Sequence, residues 1–164
     1  MLDKYETRLA ICPASSKTFY HNAFPGGLVQ HTLNVLKFAL QIRKIVDSTI
    51  SQESLILSAL FHDLGKIGND EFDYYVDQDS SWHRERGNVY KYNEKLSFMP
   101  VAQRSLYLLQ LNNVILSKDE FTAILIHDGQ YLKENESWAM KEPTLAIILH
   151  QADVLAMKKE KGEI

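Results

Sequence analysis

"FHDLGK", residues 61–66, is the stretch whose reading decides this fold. The apolar run "LILSAL" leads into it, so a histidine and an aspartate stand where core side chains are expected. His62 follows Leu55 by seven residues and Ala59 by three; Asp63 follows Ile56 by seven and Ala59 by four. At helical spacing both share the apolar stripe of one helix. A carboxylate on such a stripe costs on the order of several kcal/mol to bury alone, or must take up a proton.

The same anomaly recurs on two other helices. His31 lies four residues before Val35 and seven before Phe38. Asp153 follows Leu149 by four and precedes Ala156 by three. One divalent cation would neutralise Asp63 and Asp153, and the neutral imidazoles of His31 and His62 complete a mixed nitrogen and oxygen shell. That shell suits a first-row transition metal such as manganese, iron, cobalt, nickel or zinc, with magnesium also admitted. Each residue alone has a plainer reading. His31 on its own reads as a core histidine, and Asp153 alone as the partner of an arginine such as Arg104. It is the ordered set that points to a metal.

Around these residues the chain reads as mostly helical. A helix runs from Leu28 to Val46, with Leu28, Val35, Phe38, Ala39, Ile42 and Ile45 on one stripe and "FPGG" as its turn. The next starts at Ser51 and runs to Gly65. Residues 72–93 hold two aromatic and β-branched segments, "DYYVDQ" and "NVYKYN", and predict a small β-hairpin with its turn at "RGN". Helices resume at "VAQRSLYLLQL" and at Ser117, where Glu120 completes a capping box. Gly129 ends that helix, Pro143 opens the first turn of a last helix reaching about Lys159, and "KKEKGEI" reads as a frayed tail.

The 164 residues suggest one domain spanning 1–164, and 45% apolar with 24% charged residues is ordinary for a globular protein. A net charge of −3 argues against a protein held on nucleic acid by a broad basic surface, but leaves room for a small phosphate compound. No run is apolar enough to span a bilayer. The N-terminus lacks a signal-peptide pattern, and the single Cys12 cannot staple the fold, so a cytoplasmic setting is expected.

With these residues in place, the sequence resembles the HD-domain metal-dependent phosphohydrolase superfamily, whose pattern is H…HD…D on separate helices. "FPGGLVQHTLNVL", "FHDLGK", "FTAILIHDG" and "LAIILHQADVLA" each resemble stretches of that superfamily, covering roughly residues 19 to 157. The resemblance implies an all-α helical bundle, with His31, His62, Asp63 and Asp153 as metal ligands. It also implies hydrolysis of a phosphate ester, with Asp63 orienting a water that the metal acidifies. His127 matches a position that serves either a second metal or a substrate phosphate. "MPVAQ" stands where two-metal members commonly carry a further histidine, so one tightly held metal is expected.

Other polar residues have two readings each. Lys66 either holds a phosphate as a point charge or simply faces the helix C-terminus. Arg104 either clamps phosphate or neutralises a carboxylate. His150 is a supporting partner of the metal ligands or a core histidine, and His21, outside the helix, either reaches the pocket mouth, by analogy with similar His-rich entries, or takes no part in the site. In the hairpin, Trp82, Tyr90 and Tyr92 either stack a base, beside Arg84, Arg86 and Lys91, or pack on the helical body. The expected substrate is a small phosphorylated compound, a nucleotide or similar. The alternatives are a nuclease acting on nucleic-acid ends and a metal-containing nucleotide sensor without turnover.

Overall fold

A computed structural model describes residues 2–164. In chain order it contains α1 (Leu2–Ile11), α2 (Gly27–Val46), α3 (Gln52–Phe61), β1 (Tyr75–Asp77), α4 (Ser81–Glu85), β2 (Tyr90–Tyr92), α5 (Val101–Leu111), α6 (Lys118–Leu125) and α7 (Thr144–Glu160). Short 3-10 turns at Leu64–Ile67 and Lys133–Trp138 join them. The fold is all-α with one small two-stranded insertion. No helix among the described residues is long and apolar enough to cross a membrane.

The helices pack around two adjoining apolar clusters. In the first, Val35 and Ala39 of α2 and Leu55 and Ala59 of α3 meet Ala123 of α6. Ala146, Leu149, Ala152 and Ala156 of α7 close the same cluster. Small side chains along α7 let its backbone come close to α2, the most extensive helix pair in the molecule. In the second cluster, Leu64 and Ile67 pack on Leu108 and Leu109 of α5, on Leu28, and on Tyr5 of α1. Leu125 touches both clusters and joins them.

Several sequence expectations change in detail. Ile45 is 86% exposed. It lies six residues from Ala39, about two-thirds of a turn round the helix, and so cannot share its face. The helix entering "FHDLGK" ends at Phe61 rather than Gly65, and a 3-10 turn follows. Gly65 explains the change: a side chain there would run into the Val101 carbonyl and Arg104 of α5. The chain must tighten where it meets α5. Pro143 precedes the first turn of α7 in extended backbone, φ −63° and ψ 149°, instead of lying within it. Gly129 does take the left-handed conformation, φ 79°, and the capping box at Ser117 and Glu120 is complete.

The hairpin pairs Tyr75 with Tyr92, Val76 with Lys91 and Asp77 with Tyr90, antiparallel. Its connection is longer than a tight turn at "RGN": the short helix α4, capped by Ser80, fills it. Tyr74, Tyr75 and Tyr92 pack on one another, with Tyr75 and Tyr92 stacked at 5.6 Å. Trp82 is exposed on α4, where the Arg86 guanidinium covers its ring at 3.7 Å. Arg84 and Arg86 donate to backbone carbonyls of residues 78 and 82, and Lys91 pairs with Asp79 at 2.8 Å.

Candidate metal centre

The turn after α3 presents His62 and Asp63 to α2, α6 and α7 at once. His31 comes from α2, His127 from the turn after α6, and Asp153 from α7. Asp63 stands at the centre. Its Oδ2 lies 3.8 Å from His31 Nε2 and 3.6 Å from His62 Nε2, while its Oδ1 lies 3.5 Å from His127 Nε2. Asp153 Oδ1 is 2.9 Å from His31 Nε2. The side chains of His31, His62 and His127 are at most 2% exposed, against 22% for Asp153, so the cluster opens to solvent beside Asp153.

The backbone fixes which nitrogen each imidazole offers. His62 Nδ1 donates to the Ala59 carbonyl at 2.9 Å, and His127 Nδ1 donates to the Ile124 carbonyl at 2.8 Å. Both bonds span three residues at a helix end, where carbonyls lack helical partners. Each ring therefore turns its Nε2 inward. His62 Nε2 is buried with no hydrogen-bond partner among the described residues. Among the described residues, three groups of donor atoms gather closely enough to hold an ion: His21, His31 and Glu160; His31, His62 and Asp63; and His62, His127 and Asp153. An orphaned buried nitrogen facing two carboxylates fits a divalent cation and fits an apolar core badly.

Protons and a lysine balance these charges in the protein alone. Burial disfavours the His31 imidazolium, but Asp153 and Glu160 outweigh it and raise the pKa to about 9. For His127 burial is likewise overcome, chiefly by Asp63, and its pKa is also raised to about 9. Burial dominates at His62, which is pushed down to about 4 and stays neutral. Burial pushes the Asp63 carboxyl up, yet Lys66 and the imidazoles hold it well below the carboxylate range. Lys66 Nζ donates to Asp63 Oδ2 at 2.6 Å; burial opposes its charge and Asp63 preserves it.

Glu160 is the residue that sequence reading misses. It falls in the stretch expected to fray, yet α7 extends through it and its side chain is 3% exposed. Its Oε2 accepts from His31 Nδ1 at 2.9 Å, and Asn34 Nδ2 donates to its other oxygen at 2.7 Å. Thus a carboxylate orients the third imidazole, where backbone carbonyls orient the other two. The signal was present in the spacing, since Glu160 follows Asp153 by seven residues and Ala156 by four.

The remaining candidates divide. His150 Nδ1 donates to the His127 carbonyl at 2.8 Å, so it braces the turn that carries His127. The His21 ring packs on His31 with centroids 4.6 Å apart, and its Nε2 is buried without a partner. Arg104 stands apart. It is buried, its Nη2 donates to the Ser97 carbonyl at 2.7 Å, and its guanidinium faces the Tyr74 ring at 5.2 Å. It forms no ion pair with Asp153 among the described residues. Its neighbour Ser105 supports the site through the backbone. Ser105 Oγ donates to the His62 carbonyl and accepts from Gly65 N–H, both at 2.8 Å, which clamps the turn holding Asp63.

A family model described as "HD domain" matches residues 28–158, from the first turn of α2 almost to the end of α7. The dihydroneopterin 2',3'-cyclic phosphate phosphodiesterase of Methanocaldococcus jannaschii is 28% identical over 68 residues. That match takes in 39% of this chain and 27% of the relative, so the chain spans about a quarter of that protein's length. No solved structure gives a significant match. The matched segment holds the whole buried set from His31 to Asp153, and the chain belongs to the HD domain family of metal-dependent phosphohydrolases.

Proposed function

We propose that this chain hydrolyses a phosphate ester of a small nucleotide-like compound, with His31, His62, Asp63 and Asp153 holding a divalent metal. The observation that carries the reading is the orphaned His62 Nε2, buried against Asp63 in a cluster that opens beside Asp153. Charge supports it too. In the protein alone, protonated His31 and His127 and the Lys66 ammonium face the carboxylates of Asp63, Asp153 and Glu160. Exchanging the His31 proton for a divalent ion would add one positive charge, which the phosphate of a substrate offsets. The relative from M. jannaschii is named for cleaving a cyclic phosphate of a pterin compound, which favours a nucleotide-like substrate over a polymer.

A bound divalent ion supplies Lewis acidity toward the phosphate and toward a water at the site. The chain's own residues do the rest. Asp63 accepts a hydrogen bond from the attacking water and so orients it, through the carboxylate that Lys66 also touches. Lys66 provides a cation for a phosphoryl oxygen as a point charge. His127 Nε2, 3.5 Å from Asp63, faces the same space and donates to phosphate when protonated. His150 keeps the His127 turn in place, and His21 lines the side next to His31.

The test is turnover by protein loaded with manganese, cobalt or zinc on a panel of nucleoside cyclic phosphates and monophosphates. Release of product that disappears in both His62→Ala and Asp63→Ala is the expected result. Tight nucleotide binding without product, across all three metals, would replace the enzyme with a sensor.

A further inference from the structure

Lys66 faces two spaces. Its ammonium lies 2.6 Å from Asp63 Oδ2 in the metal cluster, and the residue also lines a separate hollow of about 450 Å³. That hollow lies between α1, the turn at Pro25 and the hairpin, and Tyr75, Tyr90, Ile67 and Asp77 form much of its wall. We propose that it receives the flat ring of the substrate, and that the preferred ring carries adjacent N–H and amino donors on one edge, as guanine and pterin rings do. The proposal rests on the phosphohydrolase reading above and gives it a substrate class.

The size and lining of the hollow fit a heterocycle. Pockets for small ligands commonly measure roughly a few hundred Å³, with mostly apolar walls and few polar groups. Here the polar groups are differentiated. Asp73 is engaged, its Oδ1 3.1 Å from Arg8 Nε. The Asp77 carboxylate, exposed at the rim, and the half-buried Tyr75 hydroxyl line the hollow and make no hydrogen bond among the described residues. A carboxylate only accepts, through two oxygens side by side. It therefore matches a ring edge with two parallel donors, and repels the acceptor-rich edge of uracil. Burial pushes the Tyr75 phenol up and keeps it protonated, so it remains able to donate.

The wall is built to hold its shape. Tyr75 is stacked on Tyr92 at 5.6 Å and meets Tyr74 edge-on at 4.8 Å. The far strand and the connection before it are tied to the segment before α2: Tyr90 N–H donates to the Ser16 carbonyl at 3.1 Å, and Thr18 N–H to the Gly87 carbonyl at 2.8 Å. A fixed aromatic face loses little entropy on stacking a ring. With the phosphate at Lys66, a ring in this hollow leaves the ester at the cluster. A second hollow of about 580 Å³, between Gly129 and Trp138, is a weaker candidate. It is lined by His150, whose Nδ1 is already given to His127, and by no lysine or arginine among the described residues.

Two measurements on metal-loaded protein test this. The first is kcat/KM for guanosine 2',3'-cyclic phosphate relative to uridine 2',3'-cyclic phosphate and to glycerol 1,2-cyclic phosphate. Tyr75→Leu should lower the guanosine-to-glycerol ratio about tenfold, in keeping with the usual worth of base stacking. Asp77→Asn should narrow the guanosine-to-uridine ratio. Tyr131→Ala, in the other hollow, should leave both ratios unchanged. The second is binding of guanosine itself, without phosphate, by ligand-observed NMR, with melting temperatures confirming that each variant folds. Hydrolysis insensitive to the base, or ratios that move with Tyr131→Ala and not with Tyr75→Leu, would overturn the subsite and leave the phosphohydrolase reading standing. Guanosine binding that Tyr75→Leu weakens, in a protein that hydrolyses no ester, would uphold the subsite and sink the phosphohydrolase reading instead.

Discussion

Ala59 and His62 are three residues apart and equally buried, yet they belong to regions governed by different physics. Ala59 sits in the apolar cluster with Leu55, Leu149 and Ala152, where every neighbour gains from the exclusion of water. His62 sits in the polar cluster with Asp63, Asp153 and His127, where water is excluded from groups that want it. The same helices supply both. The apolar cluster sustains itself, whereas the polar cluster is held by its frame: carbonyls at helix ends, Glu160, the Ser105 clamp and the packing of the helices beneath it. Stability gained in one region thus holds a costly arrangement together in the other.

That contrast can be broken most sharply by exchanging the damage. Asp63→Ala should abolish both turnover and retained metal, measured as metal content after gel filtration, while the fold persists by circular dichroism. Leu149→Ala should do the reverse. It opens a hole in the apolar cluster and lowers unfolding free energy by about 2–5 kcal/mol in denaturant melts, with metal per folded molecule unchanged. If the two variants fail in the same way, the regions are not separable.

Acidity probes the polar region alone. His31 and His127 are raised to about 9 in the metal-free fold, from the ordinary value of 6.5. Between those values the folded chain holds protons that the unfolded chain releases, so the contribution of these two imidazoles to metal-free stability is fully present below pH 6.5 and is lost toward pH 9. Thermal melts of chelator-treated protein should fall over that window by about 2–4 °C for each kcal/mol lost. Metal affinity should rise over the same window, because binding displaces the His31 proton. A melting temperature that climbs from pH 6.5 to 9 without metal would contradict the charge balance described for the cluster.

A finer cut separates ligand from support. Glu160→Gln keeps the shape but removes the charge behind His31, and should weaken metal binding about 10–100-fold by calorimetry, with stoichiometry retained. The smallest effect is expected at Trp82→Ala. This exposed ring meets chiefly Arg86, and its loss should change unfolding free energy by no more than about 0.5 kcal/mol.

Periodicity carried much of this protein, and its failures have physical causes. Helices α2, α3, α5, α6 and α7 follow from apolar spacing and caps, because burying one stripe is what a helix in a bundle must do. His31 and His62 showed themselves as polar residues on such stripes. Asp63 showed itself for a partly wrong reason: the helix stops before it, and the 3-10 turn packed against α5 aims its carboxylate. Glu160 hid in a charged tail, since a charge near a chain end reads as solvated until a partner is found for it. Helix α4 inside the hairpin hid because five residues give too little pattern to read.

By itself, then, the sequence determined helices α2, α3, α5, α6 and α7, the approximate hairpin and the set of polar residues too costly to bury singly, but neither α1 nor α4, because local spacing and desolvation act on the chain without reference to what packs against it. Only the tertiary structure decided which of them meet. It set Arg104 aside on Tyr74, brought Glu160 onto His31, drew His127 against Asp63 and turned Lys66 toward both the cluster and the hollow. Those outcomes depend on distances between segments far apart in the chain, and such distances are fixed by the packing of whole helices.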